Sequence, residues 1–317
     1  MLETATTLLL AIHLLAMNVA SAGPLAGAWL ATRSRRAGDR SHALDRGARK
    51  TFGWSLACLA IGALVGGIML LAPSAGVRAA LARFPADAYW FAGSELLFSA
   101  ACIAACVKLI HRPKLMWLLA AATATNLLYH FPPLMAVFGE LAANGDWAAD
   151  AVLDRPTLRR LWLRPEVLSL WVHFALASIA VAFAAALAAC HRVATSAAES
   201  VDAGTARRLA GCALAATVLQ IPVGIWLLLA SDQASQQAMM GGSWPATIGL
   251  AGGVWVALGV MQSLATIAWG DDDRRQTFRA CVLLTITVVF MSFALRSSRS
   301  ANAGPAPAID ATAGDAQ

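Results

Sequence analysis

Charge is scarce in this chain. Asp, Glu, Lys and Arg make up 13% of its 317 residues, while 59% are hydrophobic. An ordinary soluble domain carries about twice that share of charge, so this class is excluded. Strand signals are scarce as well. The apolar runs are far longer than the ~10 residues that a barrel strand needs. Only helices and closed barrels satisfy every backbone polar group in lipid, so the reading is an all-α integral membrane protein. The six cysteines, Cys58, Cys102, Cys106, Cys190, Cys212 and Cys281, form no CxxC and no CxxCH. That argues against a covalently attached c-type haem and against a cysteine zinc site. Cys102 and Cys106 share a helix face and read as small packing residues. The net charge of +6 and pI near 9.3 would suit a nucleic-acid binder. Here, however, the basic residues sit between apolar runs, where they set orientation, and no nucleic-acid partner is expected.

About eight spans are expected, at 5–31, 52–72, 90–110, 115–138, 166–190, 208–230, 245–269 and 277–295. Each approaches the ~20 residues that cross ~30 Å of hydrocarbon. Ala20-Ser21-Ala22 resembles a signal-peptide cleavage site, but Glu3 precedes the first run and no Lys or Arg does. That fits an uncleaved first span with the N-terminus outside. Arg33, Arg35, Arg36, Arg40, Arg46, Arg49 and Lys50 put the first loop inside. Lys108, Arg112 and Lys114 do so for the third-to-fourth connection, Arg192, Arg207 and Arg208 for loop 191–207, and Arg274, Arg275 and Arg279 for the last turn. Both termini are then outside, in a bacterial-type inner (cytoplasmic) membrane. Trp29, Trp54, Trp117 and Trp269 fall near inner ends, and Trp90 and Trp244 near outer ends, as an aromatic belt requires. Segments 75–86 and 139–165 read as outer amphipathic stretches. Residues 1–296 form one polytopic membrane domain, with spans 1–4 and 5–8 as two four-helix bundles. The Ala-, Gly-, Pro- and Asp-rich stretch 297–317 reads as a disordered outer tail.

Within this apolar background three histidines stand out. His13, His130 and His173 each lie about seven or eight residues from an outer span end, or ~10–12 Å deep. An imidazole in hydrocarbon needs a partner or a metal. Three at one level suggest haem ligation. Glu95 belongs to the same layer as a candidate for proton handling. Asn126 and Ser169, each four residues before a histidine, could orient the rings of His130 and His173. Met239 and Met240, before span 7, are the other candidate iron ligands. His111 and His191 sit beside arginines at inner ends and read as interfacial.

Over residues 5–235 the order of these features resembles subunit I of the cytochrome bd quinol oxidases. AIHLLAMNVASAGPLAGAWL matches the family's first span, whose histidine binds haem, at His13. VRAALARFPADAYWFAGSELLFSAA matches an outer stretch followed by a span with an early acid, at Glu95. LRPEVLSLWVHFALASIAVAFAAALA matches the span whose histidine binds a low-spin haem b, at His173. The resemblance implies haem b, one to three groups, as cofactor. It also implies partner subunits of a respiratory complex, and a donor such as quinol or an outer-face cytochrome c. The departures are specific. Ala101–Cys106 lack the family's second acid, loop 231–244 is too short for its quinol motif, and Gly249 stands where its ligand methionine falls. Spans 7 and 8 contain no acid, and His130 has no family counterpart. The resulting expectation is a haem-b electron-transfer protein, with His13 and His130 on one haem and His173 on another. A functional O2-reducing oxidase subunit and a haem-free transporter or assembly factor are the alternatives. Pro132-Pro133 and Pro222, as helix breakers, speak for the last.

Overall fold

The computed structural model describes residues 2–36, 41–71, 74–148, 152–193, 202–270 and 274–302. Among them the secondary structure is helical throughout. Seven helices are long and apolar enough to cross a membrane, the make-up of a multi-pass membrane protein. In chain order the helices are α1 (Leu2–Arg36), α2 (Ser41–Leu70), α3 (Ala75–Ala82), α4 (Ala86–Lys108), α5 (Pro113–Tyr129) and α6 (Phe131–Ala143). Then come α7 (Arg155–Trp162), α8 (Pro165–Val193), α9 (Ala203–Ala230), α10 (Gln233–Gln237), α11 (Trp244–Trp269) and α12 (Arg274–Asn302). The long seven are α1, α2, α4, α8, α9, α11 and α12.

The expected span 115–138 is not one rod. It is divided between α5 and α6, which meet at His130. Pro132 and Pro133 have no N–H to donate to the carbonyls four residues back, at Leu128 and Tyr129. The Leu128 carbonyl accepts instead from Trp171 Nε1, at 2.5 Å. α5 alone has 17 residues, about 25 Å of helix.

One apolar core draws on α1, α2, α4, α5, α8, α9, α11 and α12, rather than on two separate bundles. Its centre is the small-residue surface of α8, where Ala180, Ala182, Ala184, Ala186, Ala189 and Cys190 are buried. Short side chains let α8 approach both α1 and α2. A hydrogen bond between Ser178 Oγ and Asn18 Oδ1 (2.9 Å) sets the register of α8 on α1. At the basic end, arginines of α1 and α2 satisfy carbonyls at the ends of other helices. Arg35 donates to Ile110 O, Arg46 to Val193 O (3.3 Å), and Arg49 to Val107 O (3.4 Å) and His111 Nε2 (3.3 Å). α1 and α8 therefore both end at this side and run parallel.

The opposite end carries a cap. α3, α6, a 3-10 turn at Gly145–Trp147, α7 and the start of α8 enclose a second core. Val137, Leu141, Leu153, Leu161 and Val167 are buried there, with Phe84, Phe138, Trp147 and Trp162 against them. Arg83 fastens the turn by donating to Gly145 O and Ala148 O, both at 2.8 Å. Arg164 lies over the Trp147 ring (4.1 Å) and pairs with Glu166 (2.7 Å). α7 begins at Asp154, whose carboxylate accepts from the Thr157 N–H (3.0 Å). The hydroxyl and amide of Thr157 hold this exposed carboxyl below its usual range. The stretch expected to be a tail from 297 is helical as far as Asn302, and within it Arg299 pairs with Glu140 of α6 (2.8 Å). Residues 303–317 lie outside the described residues.

Candidate functional site

His13 is placed by α1 against a glycine surface of α2. Its Nδ1 lies 2.8 Å from the Gly62 carbonyl. A carbonyl can only accept, so Nδ1 carries the proton and Nε2 keeps its lone pair. The ring lies on Gly66, where an added Cβ would stand 2.8 Å from His13 Cε1. Gly62 and Gly66 are thus the acceptor and the floor of this imidazole. The signal for them is the GALVGG stretch of α2, whose glycines four apart share one face.

His130 stands where α5 gives way to α6. Its Nδ1 faces two acceptors, Glu95 Oε2 at 2.5 Å and Asn126 Oδ1 at 3.0 Å. The Asn126 amide is turned this way because its Nδ2 donates to Glu95 O (3.0 Å) and Ser99 Oγ (2.9 Å). Glu95, Asn126 and His130 therefore form one connected cluster between α4 and α5. Phe91 and Tyr129 flank the imidazole, with centroids at 5.9 Å and 5.1 Å, and Tyr129 meets Trp162 and Trp171 edge-on. This aromatic surround is not visible in the sequence, because it joins four helices.

His173 on α8 points toward α9, with Cε1 3.8 Å from where a Gly224 Cβ would be. Its Nδ1 is buried and has no hydrogen-bond partner among the described residues. The expected orienting role of Ser169 toward it is corrected here. Ser169 Oγ donates to Glu166 O (3.3 Å), the local bond a serine commonly makes in the first turn of a helix. Met239 and Met240 fall in a wide turn, Ala238–Gly242, which Gly241 closes at φ 118°. Met240 is 73% exposed. The Gly249 position is closed to a larger side chain, since a Cβ there would meet Ala294 N at 2.9 Å.

The three histidines occupy one band. His13 and His173 are each five residues before the members of the Asn18–Ser178 bond on parallel helices, so they share a level. The Leu128–Trp171 bond puts His130 about four residues, roughly 6 Å, nearer the cap than His173. They face different neighbours: His13 faces α2, His130 faces α4 and His173 faces α9. Among the described residues no three His, Cys, Asp or Glu side chains gather at one metal-binding point. A cleft of about 330 Å³ between α1, α5 and α8 is lined by Leu25, Ala121, Ala124, Thr125, Leu128, Tyr129 and Trp171, and by no histidine.

Fold and site together define a multi-pass helical membrane protein with three histidines in one band. Comparison with protein-family models, curated proteins and solved structures finds no match to this chain.

Proposed function

We propose that the chain is a membrane haem-b electron-transfer protein of a respiratory chain, in a bacterial-type cytoplasmic membrane with both termini outside. The observation that carries this reading is the orientation of His13. A backbone carbonyl holds its Nδ1–H, the usual second interaction of a ligating histidine, and Nε2 is left for iron. His130 has the same disposition, with a carboxylate as acceptor. On this reading His13 and His130 would hold one haem, and His173, whose Nδ1 has no hydrogen-bond partner among the described residues, would hold another. Haem b when bound supplies a one-electron iron couple. The protein's own part is to fix the imidazoles and, at Glu95–His130, to hold a proton. Partner subunits and a donor such as quinol or an outer-face cytochrome c complete the reading. The absence of acid from α11 and of a long loop before it favours electron transfer over O2 reduction.

A reduced-minus-oxidised spectrum of the purified protein tests this. A haem b α-band that is lost or shifted in His13→Ala is expected. A spectrum without that band would end the reading. Carbon monoxide should bind slowly or not at all to a bis-histidine iron, and rapid binding lost in His13→Ala would favour an oxidase.

A second reading, a haem-free transporter, is favoured by one observation. The helix break at His130–Pro133 lies beside an intramembrane acid, the arrangement in which discontinuous helices hold transported ions. Retained haem on purification would exclude it.

A further inference from the structure

We propose that two copies of this chain associate through α11, with Gln262 of each copy hydrogen-bonded to Gln262 of the other. The proposal is independent of the haem reading. On α11 the exposed positions Trp244, Ile248, Ala251, Trp255, Leu258 and Gln262 follow one another at alternating steps of four and three. That is the spacing of a seam that packs on a parallel helix at about 20°. The opposite face, with Gly249, Gly253, Val260, Leu264 and Ile267, is already buried in the protein's own core.

Two residues of the seam are out of place on a lipid-facing surface. Trp255 is 77% exposed. It is about 16 Å from Trp244 and 21 Å from Trp269, at mid-helix and away from either interfacial belt. Gln262 is exposed and lies within the apolar span, about 10 Å from the end at Trp269. Its side-chain amide has no hydrogen-bond partner among the described residues; the Thr266 hydroxyl donates to its backbone carbonyl at 2.9 Å. A primary amide in hydrocarbon needs both a donor and an acceptor opposite it.

A second copy meets that need directly. Copies in one membrane share one orientation, so a twofold axis between them runs along the membrane normal. Each seam residue then meets its own counterpart at its own depth. An amide is self-complementary, since its N–H of one copy donates to the C=O of the other.

The test uses the full chain, dye-labelled and reconstituted in phospholipid vesicles, with photobleaching steps counted over a range of protein-to-lipid ratios. The wild type should be dimeric. Gln262→Leu should weaken the dimer by about three- to thirty-fold, the range for one interhelical hydrogen bond. Gln262→Asn should keep most of the affinity, and Leu97→Ala, on the exposed face of α4, should leave it unchanged. Under oxidation Gln262→Cys should form a covalent dimer that the wild type, with its native cysteines, does not. A wild type that stays monomeric at every ratio would overturn the proposal. So would undiminished dimerisation of Gln262→Leu, or a Gln262→Cys protein that forms no covalent dimer under oxidation.

Discussion

Replacing Gly66 with alanine puts a methyl group into the His13 ring. The added Cβ would stand 2.8 Å from Cε1 and 3.0 Å from Nδ1. Carbon–carbon contact begins near 3.5 Å, so ring or helix must retreat by about 0.7 Å. Overpacking of this kind costs about 1–3 kcal/mol. Drawing Nδ1 off the Gly62 carbonyl forfeits about 1 kcal/mol more. Alanine returns up to about 1 kcal/mol through its helix propensity. The net result is a destabilisation of about 1–3 kcal/mol. Gly67 is the control, since an added Cβ there meets nothing within 4 Å. Gly67→Ala should be neutral or stabilising by up to about 1 kcal/mol. Reversible unfolding in mixed micelles compares the two, and ¹⁵N NMR of the imidazoles reads the His13 tautomer. Equal stabilities for Gly66→Ala and Gly67→Ala, with the Nδ1–H tautomer kept in both, would refute the packing argument.

Four further outcomes are expected. Asn126→Ala removes the amide that links Glu95, Ser99 and His130, and should cost about 1–3 kcal/mol in the same unfolding measurement. Leu153→Ala hollows the cap core, where Leu153 is fully buried, and should cost about 2–5 kcal/mol; protease nicking within 131–170 should rise. Arg164→Lys should not restore the stack on Trp147 that Arg164→Ala removes, because an ammonium lacks the planar face; Trp147 emission would move alike in both. Hydrogen bonds from Thr157 lower the Asp154 pKa in the folded protein. Its capping contribution is therefore present above the ordinary carboxylate pKa and is lost as pH falls through the lowered value. Amide exchange at the start of α7 should accelerate in acid and stay level from neutral pH upward.

The long helices were legible because apolar runs of that length have few other uses. The cap was partly legible, because α7 has a sharply two-sided pattern and Asp154 marks its start. The break in the fourth expected span was foreshadowed by Pro132-Pro133, but which group would take the orphaned Leu128 carbonyl was not. Trp171 reaches it only once α8 is docked. The partner of His13 was illegible for a related reason. Helices that are apolar all round carry almost no moment, so periodicity does not say which face meets α2. The pairing of Asn126 with His130 was legible, because four residues on a helix fix a shared face. The same spacing misled at Ser169, where a local carbonyl competed successfully. The single core spanning all the long helices was hidden as well, since alanine-rich α8 shows its role only through what packs on it.

The Arg299–Glu140 pair has a consequence for how the protein is made. The cap is translated well before the last helix, and its tie to α12 spans 159 residues of chain. At ~5–20 residues per second the ribosome needs about ten to thirty seconds to supply the second half of that tie. During this interval the cap can be assembled, but without its tie to α12. A nascent chain stalled before α12 should present a cap more open to chaperones and proteases, and insertion of α12 should close it.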